Sequence, residues 1–144
     1  MRKGMPSIDF TFQNEKGKTM RLSDFRGKAR YIDLWATWCG GCEAETPYMA
    51  KRYEHYKKDK RIQLISISMD RDRSLWLKKN KEDKVTWPQF IEPDEFKSDL
   101  AKAFDITFIP RFLLFDKDGK ILSLNAPRPS SDDIIEWIEE NISE

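Results

Sequence analysis

Cysteine is nearly absent from this chain: two in 144 residues, at positions 39 and 42, accompanied by a single histidine, His55. A closed structural zinc site takes four ligands, so this inventory argues against a metal centre. Missing too is any apolar stretch approaching the roughly 20 residues of a membrane-spanning helix, and no direct membrane insertion is expected. The opening Met1-Arg2-Lys3-Gly4 leads straight into strand-like sequence. A leader or lipid anchor lost from a longer precursor remains compatible with that start. Nor is there an excess of either charge: 26 basic and 25 acidic side chains leave a formal net charge of +1 with the signs interspersed. The concentrated basic face that nucleic acid requires is therefore lacking, and no nucleic-acid partner is expected. The local run Lys57, Lys58, Lys60 and Arg61 reads as the solvated end of a helix. Repeats, linkers and low-complexity segments are absent, so a single domain over residues 1–144 is expected, whether alone or as part of a longer protein.

What is present suffices for a core. Hydrophobic residues make up 39% of the chain and aromatics 12%, with five Trp and nine Phe, despite a mean hydropathy of -0.73. Apolar and polar residues alternate over 8–12, and a turn at Gly17 precedes 19–22, which predicts an N-terminal hairpin. Residues 22–27 read as a short capped turn ending at glycine, and 29–36 as a strand buried on both faces. Helical spacing covers 41–59, with Glu43 and Glu45 in the first turn and Pro47 expected to kink it early. A strand over 62–68, a helix over 74–81, an extended segment over 85–90 broken by Pro88, and a helix over 95–104 follow. Asp116-Lys117-Asp118-Gly119 joins 112–115 to 121–124 as an antiparallel hairpin, because Asp-Gly supplies the positive backbone angles of a tight turn. Ser131 or Asp132 is expected to cap a last helix bearing Ile134, Ile135, Trp137, Ile138 and Ile142. The order predicts an α/β fold, a central mixed sheet flanked by helices. Trp35, Tyr48, Trp76, Trp87 and Trp137 are read as packing aromatics.

The chemistry concentrates at Cys39-Gly40-Gly41-Cys42, where a buried strand meets the start of a helix. Unpaired amide N–H groups there stabilise a thiolate and lower its pKa from about 8.5. Cys39 is the expected nucleophile and Cys42, one turn on and more buried, the resolving thiol. Two bland readings stand beside this one: half of a zinc site, for which the other ligands are missing, and a static disulfide, whose short loop would constrain little of the unfolded chain. No cofactor is called for.

The segment 32–42, Ile-Asp-Leu-Trp-Ala-Thr-Trp-Cys-Gly-Gly-Cys, resembles the active-site segment of thioredoxins, and Ile109-Pro110 before Phe112-Leu113-Leu114-Phe115 resembles their cis-proline strand. Residues 6–28 and the extra segment between Ser68 and Phe104 resemble the N-terminal extension and central αβ insert of TlpA/ResA-type extracytoplasmic thioredoxin-like proteins. The resemblance implies a thioredoxin fold with an N-terminal β-hairpin extension, and a redox-active disulfide between Cys39 and Cys42. It implies that Asp33, six residues before Cys39, takes the proton of the resolving cysteine, and that Glu45 lines the active-site cavity. Trp38, Ile109 and Pro110 would meet an extended substrate. Three residues depart from the pattern: Gly41 stands where thioredoxins have proline, Glu43 where relatives carry a basic residue, and Arg111 where threonine is common. Glu43 would oppose the thiolate, and Arg111 would offset it or select an acidic substrate.

The resulting expectation is a thiol-disulfide oxidoreductase that reduces protein disulfides, is recharged by an upstream dithiol donor, and works as a monomer in the cell envelope or periplasm; the cytoplasm is the alternative. A thiol-dependent peroxidase of the peroxiredoxin type is the rival suggested by the N-terminal region. A non-catalytic binding module presenting Trp38 and the Ile109-Pro110 ridge is another.

Overall fold

The computed structural model describes residues 2–143. Seven strands form one sheet in the order β2-β1-β5-β4-β3-β6-β7: β1 (Thr11–Asn14), β2 (Thr19–Arg21), β3 (Ala29–Trp35), β4 (Ile62–Ser68), β5 (Gln89–Ile91), β6 (Arg111–Phe115) and β7 (Ile121–Ser123). β3, β4 and β5 run parallel, and the remaining pairings are antiparallel. The helices are α1 (Gly40–Tyr56), α2 (Arg73–Glu82), α3 (Asp99–Ala103) and α4 (Ile134–Ile142). None of them is long and apolar enough to cross a membrane.

All seven residues of β3 are buried, as a strand covered on both faces requires. Because side chains alternate along a strand, Ile32 and Leu34 face one layer and Tyr31, Asp33 and Trp35 the other. The first layer joins Phe10, Phe12 and Leu22 of the N-terminal extension to Ile65, Ile67, Leu100 and Phe115. The second joins Tyr31 and Leu64 to Met49 and Tyr56 of α1 and to Ile134 and Ile138 of α4. A third cluster caps the C-terminal end of β3 and contains both cysteines with Trp35, Trp76 and Ile91.

The two hairpins form as their turns dictate. Gly17 (φ 83) and Gly119 (φ 87) occupy the left-handed region that disfavours a side chain. The Asp116 carboxylate accepts the amides of Asp118 and Lys120 at 2.9 Å. α1 runs through Pro47 as one element and buries Cys42, Glu45, Met49 and Tyr56 along a single stripe.

Four expectations need correction. The extended segment 85–90 contracts to Gln89–Ile91: the Val85 amide donates to Asn80 O at the end of α2, and Pro88 has no amide to give a ladder. The helix over 95–104 is two pieces, a 3-10 turn Glu95–Lys97 and α3, because Ser98 is extended and its hydroxyl accepts the Ala101 amide at 3.1 Å. α4 starts after Asp133 with no side-chain cap, and neither Ser131 nor Asp132 serves; the Ser131 carbonyl accepts the Ile134 amide instead. Tyr48 lies off the buried stripe of α1 and is 42% exposed, so it is not a packing aromatic.

Candidate active site

β3 delivers the chain to the site and α1 begins there. Between them the Cys39 amide donates to Ala36 O at 3.1 Å, closing a tight turn, and the Met69 amide donates to Trp35 O at 2.7 Å, tying that turn to the end of β4. Cys39 is the N-cap residue of α1: its backbone is extended, and its Sγ accepts the Cys42 amide at 3.2 Å. The two cysteines form a disulfide with 5.3 Å between their Cα atoms. Cys39 is the more exposed of the pair at 9%, against 3% for Cys42.

Ile109-Pro110 is a cis peptide. A Cβ at Gly41 would stand 3.5 Å from Pro110 Cδ, so the proline ring lies directly against the second of the two glycines between the cysteines. Trp38 and Phe108, exposed by 60% and 59%, border this contact in the chain, one preceding Cys39 and the other two residues before Pro110. Sequence reading named Trp38 but missed Phe108, whose signal was its place next to Ile109-Pro110. The Arg111 guanidinium lies 5.3 Å from the Phe108 ring centroid, and its Nε donates to Leu124 O at 2.9 Å.

A polar row crosses the sheet through β3, β4 and β5. Asp33 pairs in register with Ser66 of β4, and Ser66 with Gln89 of β5. The Ser66 hydroxyl donates to Asp33 Oδ2 at 2.8 Å and accepts from Trp87 Nε1 at 2.7 Å. Burial pushes the Asp33 carboxyl up to about 7; the Ser66 hydrogen bond works against that rise and the nearby Glu45 charge adds to it. Asp33 and Trp35 share a face of β3, so this carboxyl lies on the same side of the sheet as the cluster holding Cys42.

Glu45 is buried, and its carboxylate is engaged: it accepts the Ser130 amide at 2.9 Å and the Ser130 hydroxyl at 2.8 Å, with Arg128 Nη1 3.7 Å away. The 85-residue separation of Glu45 and Ser130 left no sequence signal for that pairing. Glu43 does not confront the thiols as an uncompensated charge: Lys79 Nζ sits 2.7 Å from it and holds its carboxyl below the usual range.

Asp70 was missed altogether. It is buried just past β4 and accepts the Thr37 amide at 3.0 and 3.2 Å, the Thr37 hydroxyl at 2.7 Å and the Ser68 hydroxyl. The carboxylate thereby clamps the turn two residues before Cys39. Its faint signal was Ser68-Met69-Asp70, a hydroxyl and a carboxylate two residues apart at a strand end. Among the described residues no group of three His, Cys, Asp or Glu is placed to hold a metal ion.

Comparison with known proteins agrees with this geometry. The profile of the AhpC/TSA family matches residues 4–123. The thiol-disulfide oxidoreductase ResA of Bacillus subtilis is 27% identical over 121 residues, which is 84% of this chain and 65% of that protein, just under two thirds of its length. A crystal structure of a candidate thiol-disulfide oxidoreductase from Bacteroides vulgatus superposes with a TM-score of 0.89 at 38% identity, covering 98% of this chain and 97% of that one. The thioredoxin domain of a thiol-disulfide oxidoreductase from the same organism gives 0.85 at 32% identity, with 99% of each chain covered.

Proposed function

The chain belongs to the AhpC/TSA family and is a thiol-disulfide oxidoreductase of thioredoxin fold, and on that premise we propose that it reduces protein disulfides through Cys39 and Cys42. One observation carries the reading: the disulfide lies at the start of α1, where the amide of one cysteine already points at the sulfur of the other.

In the dithiol form that amide and the unpaired N–H groups of the first turn favour negative charge on Cys39 Sγ. The thiolate attacks one sulfur of a substrate disulfide, forming a mixed disulfide and releasing the other sulfur as a thiolate. Cys42 then loses its proton to Asp33 and attacks Cys39 Sγ. The bond to the substrate breaks, its second thiolate leaves, and two electrons have passed from the enzyme to the substrate. An acid with a pKa of about 7 suits that transfer near neutral pH. An upstream dithiol donor restores the dithiol by the same exchange in reverse.

Trp38, Ile109 and Pro110 form the surface that receives an extended substrate segment, and Glu45 tunes Asp33 by its charge. The chain acts as one domain and as a monomer. Its likeness to TlpA/ResA-type proteins supports a place in the cell envelope.

The test is turnover of a protein disulfide at the expense of a dithiol, with the equilibrium potential of the couple measured alongside. Cys39→Ser should abolish turnover, and Cys42→Ser should accumulate the mixed disulfide. A potential below about -250 mV supports reduction, whereas one above about -180 mV would reverse the assigned direction. Peroxide consumption at a comparable rate would favour the peroxidase alternative instead.

A further inference from the structure

The proposed reaction uses Asp33 but leaves unexplained the two side chains behind it. Ser66 is 1% exposed and Trp87 6%, and neither touches solvent enough to be placed there by solubility. An indole nitrogen can only donate, so the bond from Trp87 Nε1 at 2.7 Å occupies a lone pair of Ser66 Oγ. The single hydroxyl hydrogen of Ser66 is left to point at Asp33 Oδ2, 2.8 Å away. Gln89, opposite Ser66 in register, steadies the far end by donating from Nε2 to the Trp87 carbonyl at 3.3 Å.

We propose that Ser66 and Trp87 are positioning residues of the exchange reaction: Trp87 aims the Ser66 hydroxyl at Asp33, and that hydrogen bond keeps the buried carboxyl ionised often enough to accept the Cys42 proton. The inference rests on the assignment of Asp33 as proton acceptor. A hydrogen bond given to the charged form favours that form, whereas burial opposes it. Without the serine hydrogen, burial acts alone and Asp33 stays protonated to higher pH. Without the indole, the hydroxyl is free to turn away, and part of the same effect follows.

The other groups facing Asp33 do not substitute for this chain of donors. From α1 comes Glu45, an acid that raises the Asp33 value rather than lowering it. Tyr31, on the same face of β3, donates its hydroxyl to Pro127 O at 2.6 Å, and its proton is held well above the usual phenol range. Arg52 donates to the carbonyls of Pro129 and Ser131, and Arg128 lies nearer Glu45. β6 presents Phe112, and α4 contributes Ile134 and Ile138 to this face.

The experiment mixes the reduced protein with an aromatic disulfide reagent whose thiolate is coloured. The first thiolate released reports attack by Cys39, and the second reports resolution by Cys42. The resolution rate is followed from about pH 5 to about pH 9 in wild type, Asp33→Asn, Ser66→Ala, Ser66→Thr and Trp87→Phe. The expected result is an inflection near 7 in wild type that Asp33→Asn removes. Ser66→Ala should move it upward by about one pH unit, and Trp87→Phe by about half of that. Ser66→Thr, which keeps the hydroxyl, should restore the wild-type position. Mere loss of packing would slow or destabilise a variant without moving the inflection. An unmoved inflection in both Ser66→Ala and Trp87→Phe, with Asp33→Asn still removing it, overturns this inference and leaves the role of Asp33 intact. An inflection that survives Asp33→Asn overturns both.

Discussion

Two buried aspartates belong to the strands that carry the site, Asp33 within β3 and Asp70 just past β4, and they are equipped in opposite ways. Asp70 has four donor contacts over its two oxygens, from the Thr37 amide and hydroxyl and from Ser68. Asp33 receives one side-chain hydrogen bond, on one oxygen, and burial has carried its carboxyl to about 7. Asp70 fastens backbone through its donors, whereas burial favours the neutral form of Asp33. The comparison teaches that donors gathered round a buried carboxylate make it a fastener for backbone, whereas burial with a single side-chain donor leaves the Asp33 carboxyl raised.

The sharpest way to break the comparison is to neutralise each acid in turn. The folded value of Asp33 lies above its ordinary 3.8, so the folded state binds that proton more tightly than the unfolded chain does. The resulting stabilisation is fully present below about pH 3.8 and is lost as pH rises through about 7. Asp33→Asn should therefore make the protein more stable above about pH 8, by up to about 4 kcal/mol, and leave it unchanged in acid. Denaturant titrations at the two pH values check this. Asp70→Asn should do the reverse, costing about 3 kcal/mol, because three donors would lose a carboxylate acceptor and those on one of its oxygens would meet an amide N–H instead. A stabilised Asp70→Asn would end the distinction.

A smaller change separates charge from contact. Glu45→Gln keeps one acceptor for Ser130 but removes the charge that raises Asp33. We expect a stability loss of about 1 kcal/mol, together with a downward move of the Asp33 inflection in the resolution rate. The smallest effect belongs at the rim. Lys79→Met frees the exposed Glu43 and should move the Cys39 thiol titration slightly upward, read from thiolate absorbance, without moving the Asp33 inflection.

Features set by neighbours in the chain were legible beforehand. The continuous apolar run of β3 and the turns at Gly17 and Gly119 each carry their reason locally. The resemblance supplied the cis bond at Pro110, which composition alone would have assigned as trans. What escaped depends on partners distant in sequence. Nothing near Glu45 announces Ser130, and nothing near Thr37 announces Asp70, because each pair meets only when strands and loops far apart in the chain are assembled. The split at Ser98 shows a hydroxyl competing locally for the backbone against a helix that residue preferences favour. Tyr48 shows how a one-residue offset on a helix exchanges burial for solvent.

Because the group that caps α1 is a sulfur, the cap itself changes charge with oxidation state. A thiolate accepts the Cys42 amide more strongly than a disulfide sulfur can. Oxidation and unfolding are then two legs of one closed cycle: any difference in folding free energy between the dithiol and disulfide forms must equal the difference in electrode potential between the folded couple and the same cysteines in the unfolded chain. Each 1.4 kcal/mol of that difference corresponds to about 30 mV. A pair of melting curves, one for each oxidation state, is in this sense an electrochemical measurement of the first turn of a helix.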